Sequence, residues 1–272
     1  MLMTRCKDEP FIHEFVEYYI NEGVDHILIY DDNSEKGTYD KIDNNFLPYV
    51  EIIKNDTSCS SLANLNLQLN KLYYKTENVD WVICVDIDEY ITSRDGKTIR
   101  EHLETTFSEF DYIKIPWVMM ARNGRIKNPD SILKEVIHRW NHDICHVPKE
   151  KTYHFKFRPL YISIPTKAIF KPKKFKKLEP HGPTFPIDRK NIKAVDSVYI
   201  KPFEIIPNHK YYNKFREKDI SSAILLCYHY RFISEEHIYT KHKNTVYNFQ
   251  NIKVCLDYDY PDLIDTTIKD KI

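Results

Sequence analysis

Glycine is scarce in this chain, with five residues in 272. Loops that wrap backbone amides around a phosphate need closely spaced glycines, and neither GxGxxG nor GxxxxGK[ST] occurs. The dinucleotide-binding fingerprint and the P-loop are therefore excluded as ways of holding a phosphate. A surplus of one charge is also missing, since 40 basic residues face 40 acidic ones. A balanced chain carries no footprint for nucleic acid or an anionic membrane, and no nucleic-acid partner is expected. The six cysteines (6, 59, 84, 145, 227 and 255) form no CxxC pair. A disulfide framework is not expected at this length, and Cys84 and Cys227, in apolar runs, read as small buried hydrophobes. The His142–His146 stretch lacks a second ligand pair and does not read as a zinc site. No apolar run approaches the roughly 18–20 residues of a membrane span, so no transmembrane segment is expected. Early charges at Arg5, Lys7 and Asp8 argue against a signal peptide. The expected setting is cytoplasmic, or a soluble domain of a larger protein.

What the chain does have is Trp81-Val82-Ile83-Cys84-Val85-Asp86-Ile87-Asp88-Glu89-Tyr90, an apolar run that ends in three carboxylates. On an extended strand, residues i and i+2 share a face, so Asp86 and Asp88 are expected side by side. Two such carboxylates repel unless a cation joins them. Hard oxygen donors suit Mg²⁺ or Mn²⁺, which bridge a few carboxylates to substrate phosphates.

The length fits one large α/β domain. Short strands are expected at Leu2–Cys6, His26–Tyr30, Val50–Ile53 and Trp81–Val85. Helices are expected over Phe11–Ile20, with Gly23 as the stop, and over about Leu62–Tyr74. This alternation predicts a parallel sheet, in which ligands bind at the carboxyl ends of strands. Thr4-Arg5, Asp31-Asp32 and Asp86-Asp88 all fall at such ends. Further on, Asp111–Val118 reads as a strand and residues 122–135 as a loop. Thr152–Phe170 reads as strands, Ser221–Tyr228 as helix or strand, and Glu235–His242 as helix. Residues after Asn244 show no pattern. The expected division is a domain over 1–244, split into a donor half (1–120) and an acceptor half (121–244), with 245–272 as a C-terminal extension.

Taken in order, these motifs resemble the GT-A glycosyltransferases, in particular the family 2-like and family 92-like group. The resemblance rests on Thr4-Arg5-Cys6-Lys7-Asp8-Glu9, then Gly23-Val24 with Tyr30-Asp31-Asp32-Asn33-Ser34, then Asp86-Ile87-Asp88-Glu89-Tyr90. It continues through Pro116-Trp117, Asn123-Gly124, Lys167-Ala168-Ile169, His181-Gly182 and His229-Tyr230…Glu235-Glu236…Lys241. It implies a Rossmann-like α/β domain whose central sheet is mixed, mainly parallel and flanked by helices.

The resemblance also implies a metal-dependent transferase with Mn²⁺ or Mg²⁺ as cofactor. The expected donor is a nucleotide sugar, usually a uridine diphosphate sugar, and the acceptor a glycan or glycoprotein. Charge builds on the departing diphosphate, and a divalent cation would stabilise it. On this reading Asp86, Asp88 and His229 form the metal set, Asp88 as the main ligand, His229 as a further one and Asp86 on a metal-bound water or on the ribose. Thr4, Arg5 and Lys7 hold the nucleotide, Asp31 or Asp32 recognises uracil or ribose, and Asn64 lies near the base. Lys167 and His181 complete the donor-binding set. Relatives of this kind invert the anomeric centre, which requires a base to deprotonate the acceptor. Glu135, Asp143 and Asp188 are the candidates, while Glu89 is expected to point away from the two aspartates. Trp117 or Trp140 is a candidate platform for a sugar ring.

Two rival classes fit less well. A haloacid-dehalogenase-type phosphatase also ends an apolar strand in D-x-D, but its motif wants Thr or Val where Tyr90 stands, and no later GDxxxD follows. A catalytically inactive sugar-nucleotide binder has no need of an intact Asp86, Asp88 and His229. The oligomeric state is not legible in the sequence.

Overall fold

The computed structural model describes residues 1–55, 70–144, 146, 164–179, 181–204, 211–212, 215–244 and 252–271. The first half alternates as expected. Strand β1 (Leu2–Cys6) leads to helix α1 (Ile12–Asn21), and strands β2 (Ile27–Asp31), β3 (Val50–Lys54) and β4 (Val82–Cys84) follow. Helix α1 buries Ile12, Phe15, Val16, Tyr18 and Tyr19 as one stripe. It stops at Gly23, whose φ of +91° suits a residue without Cβ. Most of the helix expected over Leu62–Tyr74 lies outside the described residues; its end, Leu72–Thr76, is a 3₁₀ turn.

After β4 come β5 (Glu89–Ser93), α2 (Ile99–Glu104) and the long β6 (Tyr112–Ala121). A reciprocal cap between Thr98 and Glu101 starts α2. The loop expected over 122–135 contains a short helix, α3 (Ile132–Glu135), and strand β7 (His138–Arg139) follows it. Strand β8 (Ile164–Phe170) precedes the hairpin of β9 (Phe175–Glu179) and β10 (Gly182–Pro186). Then come β11 (Ala194–Asp196), β12 (Pro202–Phe203), β13 (Tyr211–Tyr212), α4 (Glu217–Ser222) and β14 (Leu225–His229). The ambiguous Ser221–Tyr228 segment thus resolves into a helix end and a strand. Helices α5 (Glu235–Asn244) and α6 (Ile252–Asp257) and strand β15 (Leu263–Ile264) complete the set.

The main sheet path runs β12-β11-β6-β8-β4-β1-β2-β3. Strands β1 to β4, β6 and β11 share one direction; β8 and β12 oppose it. The sheet is thus mixed and mainly parallel, and helices flank it. Alternate residues feed opposite faces: Leu2, Ile27, Ile29 and Ile83 join the core under α1. Met3, Leu28, Val82, Cys84 and Ala168 join a second core with Phe175 and Leu178 of β9. Burying each Leu, Ile, Val, Met or Phe among them is worth roughly 1.5–3 kcal/mol. Cys6, Cys84, Cys227 and Cys255 are buried and in no disulfide among the described residues.

Strand β14 pairs antiparallel with β5 and parallel with β6. Residues 252–271 are tied to the domain, because β15 pairs with β7 and Asp265 meets the Arg139 guanidinium at 2.8 Å. Among the described residues no helix is long and apolar enough to cross a membrane.

Candidate functional site

The acidic motif is a turn, not an extended strand end. Strand β4 stops at Cys84, and the Glu89 amide donates to the Asp86 carbonyl at 3.0 Å. Strict alternation therefore fails here, and Asp86 and Asp88 acquire different partners.

Asp86 is reached from two strands. Met3 pairs with Cys84, so Arg5, still within β1, lies level with Asp86, which follows the end of β4. Arg5 Nη2 lies 2.9 Å from Asp86 Oδ1. On the other side β8 runs antiparallel to β4 with Ala168 beside Cys84, and Lys167 Nζ reaches Asp86 Oδ2 at 2.8 Å. Burial would push the Asp86 carboxyl up, but Lys167 and Arg5 outweigh it and hold it well below the usual range.

Glu89 does not point away. Its Oε2 accepts the Asp86 amide at 2.6 Å and Lys167 Nζ at 2.9 Å, beneath the turn. It is fully buried, and burial pushes its carboxyl up to about 8 against the pull of Lys167. Burial alone would lower the Lys167 ammonium; Asp86 and Glu89 reverse that and keep it charged.

Asp88 faces the other way. The β5–β14 register sets Glu89 opposite His229, which brings His229 Nε2 to 3.6 Å from Asp88 Oδ1. The Tyr230 amide donates to the Asp88 carbonyl at 2.8 Å and fixes the turn to the end of β14. Lys241, from α5, places its ammonium 2.5 Å from Asp88 Oδ2. Burial would raise Asp88, but Lys241 and His229 hold it well below the ordinary range. Burial lowers His229 despite Asp88, which favours the neutral imidazole.

The other expected residues take varied places. His181 Nδ1 lies 3.0 Å from the Thr166 carbonyl, and the Trp117 ring stands 4.4 Å from His229 and 5.6 Å from His181. Trp117 and Trp140 are both buried, Trp140 against Tyr258 and Tyr260, so neither offers a face to a sugar in this structure. Asp31 is buried at the end of β2, where Oδ1 accepts from the Ser34 amide and the Tyr39 hydroxyl. Asp32 is half-buried and accepts from Asn55 Nδ2 at 3.0 Å. Lys7 donates to the Asn33 carbonyl at 2.6 Å, latching the loops after β1 and β2 together. Thr4 is buried, its hydroxyl near the Arg5 carbonyl. Asn64 lies outside the described residues.

The three candidate bases share a different occupation. Glu135 accepts the Asp130 and Ser131 amides and pairs with Arg125 at 2.9 Å. These amides, that of Ser131 first, lower its carboxyl, the wrong direction for a base at neutral pH. Asp143 accepts the Glu217 amide, and Asp188 caps the turn at Lys190 and Asn191. All three carboxylates are held in backbone caps. Glu135 alone of the three lines a cavity of about 310 Å³ with Arg122, Asn123, Gly124, Arg125 and His138.

Residues with no role expected from sequence also gather here. Glu9 is buried near Lys241 and Asp88, and burial pushes its carboxyl up to about 7. His237, one turn before Lys241 on α5, is buried with both ring nitrogens unpartnered among the described residues. Lys241 closes the motif that begins at His229, which was its only sequence signal.

The expected metal trio of Asp86, Asp88 and His229 does not converge. Among the described residues no group of three or more His, Cys, Asp or Glu side chains could hold a metal. Asp88 and His229 nevertheless bring one carboxylate oxygen and one imidazole nitrogen together. That donor set fits a hard-to-borderline divalent ion completed by water and phosphate oxygens.

Residues 7–265 match the profile of glycosyltransferase family 92. None of the curated proteins compared with the chain matches it. Among solved structures, GalNAc-T7 with UDP, GalNAc and Mn²⁺ resembles it at 10% identity and a TM-score of 0.30, covering 63% of this chain and 34% of that one. The chain thus spans about a third of that protein's length. HddC from Yersinia pseudotuberculosis resembles it at 12% identity and a TM-score of 0.36, covering 82% of this chain and 96% of that one.

Proposed function

Because the chain belongs to glycosyltransferase family 92 and is a glycosyltransferase, we propose that it moves a sugar from a uridine diphosphate sugar to a glycan or glycoprotein hydroxyl, with inversion and with Mn²⁺ or Mg²⁺. The observation that carries this reading is the Asp88–His229 pair at the carboxyl ends of the parallel strands, 3.6 Å apart. Those two side chains would hold the cation, with Asp86 behind a coordinated water or on the ribose. A divalent ion there would draw charge off the departing diphosphate.

The protein's own groups do the rest. Arg5 and Lys167 fix Asp86 from both sides, which holds the turn that carries Asp88. Preorganised charge of this kind stabilises developing charge at no reorganisation cost. Asp31 and Asp32 are assigned to the nucleoside at the β2 end, with His181 along the donor side. We assign the acceptor to the polar cavity beside the end of β6, where Asn123, His138 and Glu135 line the wall.

The test is thermal shift against a set of nucleotide sugars with Mn²⁺, on the native chain and on Asp88→Ala. A ligand present at a hundredfold excess over its dissociation constant stabilises by about 2.7 kcal/mol. One preferred uridine diphosphate sugar, and loss of its shift in Asp88→Ala, is the expected result. Equal Mn²⁺-dependent shifts in both proteins would reject the assignment of Asp88.

A further inference from the structure

The two aspartates of the turn are neutralised in unlike ways. Asp86 is held by Arg5 and by Lys167, whose side chains are 14% and 1% exposed, and Lys167 also rests on the buried Glu89. Those cations come from strands of the sheet. Asp88 is held by Lys241, whose side chain is 28% exposed and comes from α5, outside the sheet.

The Asp88 carboxylate is also the group proposed to receive a divalent cation, together with His229. Its Oδ1 faces the His229 imidazole, and its Oδ2 is taken by the Lys241 ammonium. A cation arriving at that carboxylate meets a like charge already bound to it, and like charges at such separations repel strongly where water is excluded. The lysine stem is long and flexible, which makes Lys241 the partner able to give way. Nearby, the buried Glu9 carboxyl lies within the field of the Lys241 charge.

We propose that Lys241 is the resident counter-ion of Asp88, which competes with the divalent cation for that carboxylate and turns to the donor diphosphate once displaced. This rests on the reading of the turn as a cation–diphosphate clamp. Lys241 would thus be a binding residue with two successive partners. Before the cation arrives it keeps Asp88 neutralised. Afterwards it adds a charge-assisted contact to the diphosphate, of a kind stronger than a neutral hydrogen bond.

The experiment is calorimetric titration of Mn²⁺ into the native chain, Lys241→Met, Lys241→Arg and His229→Ala without nucleotide, followed by UDP titration at saturating Mn²⁺. Removing a competing, partly buried ammonium is expected to tighten Mn²⁺ binding about five- to tenfold in Lys241→Met. Lys241→Arg should stay close to the native value, and His229→Ala should weaken binding. UDP should then bind Lys241→Met less tightly than the native protein. Unchanged or weaker Mn²⁺ binding by Lys241→Met overturns the competition while leaving the clamp intact. A native chain that binds no Mn²⁺, with or without UDP, removes the clamp itself, and the inference with it. Lys241→Gln provides a second neutral variant should Lys241→Met fail to fold.

Discussion

Arg5 and Asp86 meet at 2.9 Å because Met3 and Cys84 are paired two residues earlier on neighbouring parallel strands. The contact is thus set by backbone register, and Lys167 on β8 closes the other side of the same carboxylate.

Replacing Lys167 by Met should therefore do more than weaken ligand binding. It would leave Glu89 buried without its cation and strip one partner from Asp86. Breaking a buried ion pair costs about 3–5 kcal/mol, and a Glu89 carboxyl already raised to about 8 reduces that cost by taking a proton. Urea unfolding should show a clear fall in midpoint. Arg5→Ala, at the more open end of the network, should lose nucleotide affinity with a smaller change in midpoint.

The Arg139–Glu217 pair gives a pH signature remote from the turn. Burial would raise Glu217, but His142 and Arg139 outweigh it and bring its carboxyl down to about 2. A carboxyl lowered on folding adds stability above its unfolded value near 4.5, and that stability is lost as pH falls toward 2. The contribution is about 3 kcal/mol at neutral pH. Glu217→Gln should thus be less stable than the native chain at pH 7, with the gap closing between about pH 4.5 and 2. A constant gap in parallel denaturant titrations would rule this out.

Gly182 lies at a φ of +128°, and a Cβ there would stand 2.9 Å from Ala168 Cβ. Ala168 follows Lys167 on β8, so the close approach of β10 bears on the turn from behind. Gly182→Ala should cost about 1–3 kcal/mol from overpacking and backbone strain. Calorimetric melting would measure it, and a melting temperature equal to the native value would contradict the tight approach.

The acceptor assignment separates from the donor assignment in kinetics. His138 lines the cavity beside β6 and lies 3.4 Å from Asn123 Nδ2. His138→Ala should raise KM for the acceptor several-fold and leave hydrolysis of the donor in acceptor-free buffer unchanged. A matching loss in both assays would place His138 with the donor instead.

Much of the frame was legible because β1, β2, β3 and α1 follow simple hydrophobic periods. The acidic turn was legible by composition and misread in shape. A strand ending at Cys84 and a turn closed by the Glu89 amide cannot be told from a longer strand by alternation alone. Glu89 was misplaced for the same reason, since the turn rotates it under Asp86. Lys241 stood in the closing motif without a role, because its role depends on where α5 lands, and helix docking leaves no local pattern. The candidate bases pose a different problem: carboxylates near loop starts are as useful for capping amides as for taking protons, and sequence does not separate the two.

Strand β14 carries His229 and lies between β5 and β6, both of which precede it by more than a hundred residues. Pairings this distant in sequence carry a large loop-closure cost and place the chain among slow-folding topologies. The partner of Asp88 thus arrives only when a late strand is inserted between two early ones. Assembly of the site and completion of the sheet are one kinetic event, so Trp117 fluorescence and nucleotide binding should recover together on refolding.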